Sequence, residues 1–145
     1  MTSFREIEHG SPDYHGACRL RHEVLRVPLG LDLYAEDLAA EAGQRHYGLF
    51  DETGALLACV SAVPEPPDGA KIRQMAVSPA HQGKGLGRLI MQEAERRLAA
   101  LGLVRLHLHA RATVAGFYET LGYVRSGPGF IEVGIPHVSM AKVVA

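Results

Sequence analysis

A glycine-rich run near the middle of the chain has residue types and spacing that could bind an anion. The run QGKGLG, residues 82–87, places three glycines at alternate positions. Glycines let a backbone turn sharply and leave amide N–H groups unobstructed. The helix predicted to follow directly adds the positive end of its dipole. The run therefore indicates a phosphate-binding loop, with the predicted binding residues Gln82, Gly83, Lys84, Gly85, Leu86, Gly87 and Arg88.

Three known kinds of phosphate loop carry glycines at similar spacings, and this sequence distinguishes between them. A nucleoside-triphosphate P-loop requires Ser or Thr after its Gly-Lys, but Gly85 follows Lys84. A dinucleotide fingerprint, GxGxxG, needs its third glycine one residue later than Gly87. The third pattern, Gln/Arg-x-x-Gly-x-Gly/Ala, is met by Gln82, Gly85 and Gly87. Taken alone, the run is also compatible with a glycine turn that only joins a strand to a helix.

A second motif strengthens the third interpretation, and together the two resemble the GNAT N-acetyltransferase superfamily. Residues 115–123, AGFYETLGY, are similar to the family pattern A-x-x-F-Y-x-x-L-G-F, and the loop is similar to the family's acetyl-coenzyme A loop. The tail GFIEVGIPHVSM, residues 129–140, resembles the ElaA-like branch. The resemblance covers roughly Ile72 to Met140. Two features depart from it: Arg111 stands where many members carry Asn or Gln, and residues 26–37 lack the acidic-glutamine signature of a close ElaA-like relative.

The resemblance implies a cosubstrate and a reaction. An acetyl group would pass from acetyl-coenzyme A to a primary amine of a small molecule or peptide by direct attack. Amides of the loop would hold the pyrophosphate without a metal. The end of the preceding strand, Met75, Ala76 and Val77, would pair with the pantetheine arm. The rival class is a non-catalytic acyl-coenzyme A binding module, whereas a purely structural protein leaves both motifs unexplained.

Three residues are the predicted proton-transfer groups under this resemblance. Tyr118 is expected to protonate the departing thiolate, because a phenol stays protonated at neutral pH and a thiolate is the better anion. Glu132 and His137 are the candidate bases, with an ordered water as the alternative. His107 and His109 form an HxH pair, interpreted as half-buried, hydrogen-bonded side chains and not as a metal site.

Composition narrows the class of protein. The length of 145 residues predicts a single domain, residues 1–145, with a substantial core. A net charge of −1 gives no basic surface for nucleic acid, and no apolar run approaches the ~20 residues of a membrane span. The N-terminus has no apolar signal core, so we expect a cytoplasmic protein. Cys18 and Cys59 are expected to be reduced, packed thiols, and the sequence leaves monomer and homodimer open.

Periodicity and turn residues predict an α/β fold with a mixed, mostly antiparallel sheet of six or seven strands and about four flanking helices. The sheet should be splayed between the strand ending at Val77 and the strand starting at Arg105, and a closed three-layer sandwich is the alternative. Prolines from Pro64 onward should end the third strand. The glycine-rich stretch 126–134 should separate the last two strands. The predicted strands are 4–8, 46–50, 55–63, 71–77, 105–110, 123–125 and 135–142, and the predicted helices begin at Pro12, Ala35, Leu86 and Arg111.

Overall fold

The computed structural model describes residues 2–144 and contains one seven-stranded mixed sheet in the order β1-β2-β3-β4-β5-β7-β6. All neighbouring pairs are antiparallel except β4 and β5. None of the helices within residues 2–144 is long and apolar enough to cross a membrane. The strands are β1 (Ser3–Ile7), β2 (Arg45–Phe50), β3 (Leu56–Glu65), β4 (Gly69–Val77), β5 (Arg105–Arg111), β6 (Val124–Glu132) and β7 (Ile135–Val143), and the α-helices are α1 (Pro12–Leu25), α2 (Leu86–Ala100) and α3 (Ala115–Thr120).

The sheet opens between β4 and β5. These parallel strands pair at only three positions, the last of which is Lys71 with His107. Beyond it, β5 stays on β7 as far as Arg111, whereas β4 follows β3 through a bulge. Gln74 lies in this bulge with a φ of 60°, which lets the strand change direction. The predicted splay is confirmed, and the closed sandwich is wrong.

Two helices cover opposite faces of the sheet and bury separate cores. Helical spacing predicts a stripe of apolar residues on α2, namely Leu86, Ile90, Ala94, Leu98 and Leu101. Ile90, Ala94 and Leu98 are fully buried against one face of the sheet, whereas Leu86 is half-buried and Leu101, just after the helix, is 49% exposed. On the other face, α1 buries Tyr14 and Cys18. Fully burying a leucine or isoleucine side chain contributes about 1.5–3 kcal/mol, so these contacts fix both helices on the sheet. The N-terminal end of α2 is thereby held beside the opening between β4 and β5.

A buried ion pair ties α1 to the segment before β2. Arg21, 1% exposed, donates two hydrogen bonds to the Glu41 carboxylate at 2.8 and 2.7 Å. The Tyr14 hydroxyl donates a third at 2.7 Å. His46 contacts the Glu41 carbonyl through Nε2 at 3.1 Å and the Ser61 Oγ through Nδ1 at 2.9 Å. This network stabilises the chain connection that leads from α1 over the cleft to β2.

Several predicted boundaries are wrong for local reasons. Two 3-10 helices, Leu33–Ala35 and Leu38–Gly43, replace the single helix expected at 35–42. α3 starts at Ala115 because β5 continues to Arg111. β3 runs through Pro64, which lies beyond the last β3 residue paired with β2, so its missing N–H removes no bond to that strand. The stretch after Ser126 is a glycine bulge inside β6 and not a loop between strands.

Candidate active site

The predicted phosphate loop connects β4 to α2. Gly85 is the N-cap of α2, with a φ of 79° and no side-chain cap. Within residues 2–144, no protein acceptor is hydrogen bonded to the backbone amides of residues 83–88. Gln82 braces the loop, because its side-chain amide donates to the Val77 carbonyl at 3.1 Å. The loop therefore keeps a row of free donors at the positive end of a helix, which is the arrangement that binds anions.

The glycines of the loop are required for two different reasons. Gly83 and Gly85 have φ angles of 77° and 79°, in the left-handed region that disfavours a side chain, although a Cβ at either would meet no other atom. Gly87 is limited by space, since a Cβ there would lie 3.2 Å from the Phe117 ring. The first turn of α2 therefore packs directly against α3, the helix that carries Tyr118.

A cleft of about 880 Å³ lies where β4 and β5 diverge. Its lining includes the loop, Tyr118 and the predicted bases Glu132 and His137, so one cavity brings together residues from distant parts of the chain. Met75 and Val77 also line it. Two predicted cofactor-binding residues do not: the Ala76 side chain is buried on the α1 side of the sheet, and Lys84 lies outside the lining.

Tyr118 has the environment of an acid that stays protonated. Its half-buried ring packs against Phe117 and Tyr123, with ring centroids 5.1 and 6.0 Å away. Burial raises the pKa of Tyr118 to about 12. Among the residues that the structure describes, none forms a hydrogen bond with its hydroxyl, which leaves that group available in the cleft.

Glu132 is held by a histidine that the sequence interpretation did not select. His109 Nδ1 lies 3.0 Å from Glu132 Oε1, whereas His137 Nε2 lies 3.6 Å from Glu132 Oε2. The Nδ1 of His137 lies 2.7 Å from the Ile135 carbonyl oxygen, which can only accept, so we assign the proton to that nitrogen. The Glu132 carboxylate can likewise only accept, so we assign a proton to His109 Nδ1, which leaves Nε2 of the neutral His109 ring unprotonated. His109 is thus a candidate base with a carboxylate behind it.

One side of the cleft is covered by the end of α1 and the residues after it, which we call the cover segment, residues 25–36. Arg26 in this segment donates to Glu36 from Nε at 2.6 Å and to the Gln74 side-chain oxygen from Nη2 at 3.1 Å. The second contact joins the cover segment to the bulge of β4. Leu25, Leu29 and Leu31 add an apolar part to the cleft wall.

Comparisons with known proteins agree with this geometry. The sequence model described as an acetyltransferase (GNAT) domain matches residues 31–144. The chain is 37% identical over 76 residues to the uncharacterized protein YyaT of Bacillus subtilis, covering 52% of the chain and 51% of YyaT, so the match spans about half the length of that relative. It is 30% identical over 132 residues to the uncharacterized N-acetyltransferase YitI of B. subtilis, covering 85% of the chain and 87% of YitI.

Solved structures show the same fold at lower sequence identity. The crystal structure of Escherichia coli ElaA superposes with a TM-score of 0.80 at 20% identity, covering 98% of this chain and 99% of ElaA. A GNAT family acetyltransferase from Elizabethkingia anophelis, solved with acetyl-CoA bound, superposes with a TM-score of 0.74 at 11% identity, covering 99% of this chain and 98% of that one.

Proposed function

Because this chain belongs to the GNAT acetyltransferase family, we propose that it transfers an acetyl group from acetyl-coenzyme A to a primary amine of a small molecule or peptide by direct attack. The observation that carries the proposal is that the uncapped phosphate loop, Tyr118 and the Glu132–His109 pair line one cleft. A module that only binds acyl-coenzyme A would need the loop but not the proton-transfer groups.

The residues present fit the cosubstrate. The free amides of residues 83–88 and the dipole of α2 are suited to the pyrophosphate, and neither requires a metal. The bulge at Gln74 separates β4 from β5 beside Met75, which leaves backbone groups for the amides of the pantetheine arm. When bound, acetyl-coenzyme A supplies a thioester, whose carbonyl carbon the amine attacks.

Proton transfers can be assigned to residues of this chain. Neutral His109 has Nε2 free to take a proton from the attacking amine, while the Glu132 carboxylate holds Nδ1–H and stabilises the charged ring. The same division of roles between a histidine and a carboxylate recurs in enzymes that activate a nucleophile. Tyr118 is the acid for the departing thiolate. His137, 6% exposed and bonded to the Ile135 carbonyl, contributes to the packing of this wall.

A panel of primary amines tests the proposal directly. The full-length protein is incubated with acetyl-coenzyme A and each amine, and release of the free thiol is followed. We expect acetylation of at least one amine above the rate of thioester hydrolysis. Binding of acetyl-coenzyme A with no turnover on any amine would instead support the binding module.

His109→Gln is expected to lower kcat with a reactive amine by about 10²- to 10⁴-fold, because general base catalysis typically contributes this much. Steady-state kinetics measure the effect. The matched control is His107→Gln: His107 lies on the same face of β5 and contacts Glu65 Oε1 at 2.6 Å, but it does not line the cleft. We expect this control to keep its kcat. Equal losses in both variants, or none in His109→Gln, would contradict the role of His109.

Gly85→Ala is expected to weaken binding of coenzyme A by about 5- to 30-fold, since a side chain in the left-handed region costs about 1–2 kcal/mol and the loop would relax away from its shape. Titration calorimetry measures the Kd. Gly54→Ala is the matched control, because Gly54 has a φ of 86°, equally open surroundings and a position in the β2–β3 turn. An unchanged Kd for Gly85→Ala would mean that loop geometry does not determine affinity.

A further inference from the structure

Two cations line the cleft on β4. Lys71 is the last β4 residue paired with β5, and Arg73 is two residues further along the strand, so both side chains lie on the same face of the sheet. His107, paired with Lys71, and His109 lie on that face of β5. Lys71 is half-buried and Arg73 is exposed, and both belong to the cleft lining. Two positive charges therefore face the side of the cleft that contains the candidate base.

The nearby carboxylates do not neutralise these cations. Within residues 2–144, neither Lys71 nor Arg73 has a carboxylate within 4 Å. The two carboxylates in the cleft lining are already engaged, Glu36 by Arg26 and Glu132 by His109. Glu65, near the closed end of the cleft, contacts His107 at 2.6 Å. Lys71 and Arg73 are consequently free to bind an anion from solution.

The phosphates of the cosubstrate are not that anion. Lys71 precedes Val77, the end of β4, by six residues, which corresponds to about 19–20 Å of extended strand. Arg73 precedes it by four residues, or about 13–14 Å of extended strand. The phosphate loop begins only after Val77 and a further 3-10 turn, and it has Lys84 and Arg88 of its own. The cations on β4 therefore lie at the opposite end of the cleft from the loop.

We infer that the amine acceptor also carries a carboxylate, which Lys71 and Arg73 bind while its amine lies beside His109. The inference rests on the proposed function. Neighbouring strands lie about 4.8 Å apart and alternate residues about 6.7 Å apart, so the Cα atoms of Lys71 and His109 are roughly 8 Å from each other. One small molecule with an amine and a carboxylate a few bonds apart can contact both. An amino acid has this chemistry.

The same charges disfavour cationic acceptors. Outside the phosphate loop, the cleft lining contains four basic side chains, Arg26, Lys71, Arg73 and Arg111, and two acidic ones, Glu36 and Glu132, which leaves an excess of two positive charges. A polyamine or an aminoglycoside brings several further positive charges to this surface. Positive charges inside one cleft repel one another. In addition, neither ligand has an anionic group that could pair with Lys71 and Arg73.

Matched ligands test the inference. Free amino acids are compared with their C-terminal amides, which keep the α-amine and lose the carboxylate, and with spermidine. We expect the acids to show about 10- to 100-fold higher kcat/KM than the amides, as expected for charged hydrogen bonds of 1.5–3 kcal/mol. In the Lys71→Met/Arg73→Met variant, the KM for the acids should rise by a similar factor, whereas the KM for the amides, which have no carboxylate to lose, should not rise. Arg96→Met, on the solvent side of α2 with a side chain 72% exposed, is the control cation.

The outcomes separate this inference from the proposed function. Binding of the same ligands to the coenzyme A complex is also measured by calorimetry, which needs no turnover. Preferred binding of acids that the double variant abolishes supports the inference, even if no amine is acetylated and the proposed function fails. Acetylation of amides or spermidine as efficient as that of acids would overturn it. So would equal losses for acids and amides in a double variant that keeps its affinity for coenzyme A.

Discussion

Tyr118→Phe is expected to lower kcat by about 10²- to 10⁴-fold and to leave the affinity for acetyl-coenzyme A unchanged. The substitution keeps the ring that packs against Phe117 and Tyr123 and removes only the hydroxyl. Burial raises the pKa of Tyr118 to about 12, so the phenol is protonated throughout the neutral range, whereas an ordinary thiol ionises near ~8.5. The proton transfer therefore favours departure of the thiolate. Single-turnover kinetics with a reactive amine measure the chemical step.

Tyr47→Phe is the matched control for this experiment. Tyr47 is buried, its hydroxyl, like that of Tyr118, has no hydrogen-bond partner within residues 2–144, and it does not line the cleft. We expect this variant to keep kcat and stability. If Tyr118→Phe turned over at the wild-type rate while chemistry limits the reaction, the hydroxyl would have no catalytic role, and Tyr118 would be an aromatic packing residue like Phe117.

The largest expected effect on stability comes from Arg21→Met, which should lower the free energy of unfolding by about 3–5 kcal/mol. The substitution leaves the Glu41 carboxylate buried without its two charged hydrogen bonds, which measure 2.8 and 2.7 Å. Urea unfolding followed by circular dichroism measures the change. Arg45→Met is the control, because its ion pair with Glu6 is about 40% exposed on both sides and should contribute at most ~1 kcal/mol.

The pH dependence of unfolding provides a second measurement of the Arg21–Glu41 pair. Burial raises the pKa of Glu41, but hydrogen bonds from Arg21 and Tyr14 outweigh burial and leave this pKa below its ordinary value. A lowered folded-state pKa stabilises the fold above the unfolded value of ~4.3 and loses that contribution as the pH falls through the folded value. Glu41→Gln should remove this part of the acid dependence. An unchanged pH profile would mean that other carboxylates account for it.

Local patterns predicted most of the elements that form the cleft. The glycine run gave the position of the loop and the start of α2, and the spacing of Ile90, Ala94 and Leu98 gave the buried face of that helix. Alternation along β5 puts Leu106 and Leu108 on the same face of the strand, and in the structure both are buried. These features depend on residues within one or two turns of each other, which is the range over which periodicity is informative.

The contacts that were missed join residues far apart in the chain. His109 and Glu132 meet because β7 lies between β5 and β6, an order that no local pattern encodes. The alternating HxH pattern predicts which face of β5 carries His109, but it does not predict that Glu132 lies next to this histidine. Similarly, a bidentate contact between Arg21 and Glu41, twenty residues apart, depends on how α1 is placed over the sheet. The bulge at Gln74 was also unpredicted, because glutamine is uncommon at positive φ and only the tertiary structure holds it there.

Part of the cleft wall, the cover segment and the β6–β7 hairpin, comes from outside the stretch that runs from β4 through α3, and this separation bears on how such a protein can diverge. The side proposed for the cosubstrate is a contiguous stretch from β4 through α3, which packs into one buried core. The acceptor site proposed above shares β4 and β5 with it through Lys71, Arg73 and His109, and adds the cover segment and the β6–β7 hairpin, which contain exposed residues such as Leu31 and Val133. Exposed connections tolerate substitution at little cost in stability. Under the proposed function, substitutions in the cover segment and in hairpin residues other than Glu132 can change which amines fit while the loop, Lys71, Arg73 and His109 stay in place. These residues are the natural region to randomise when a new amine specificity is sought.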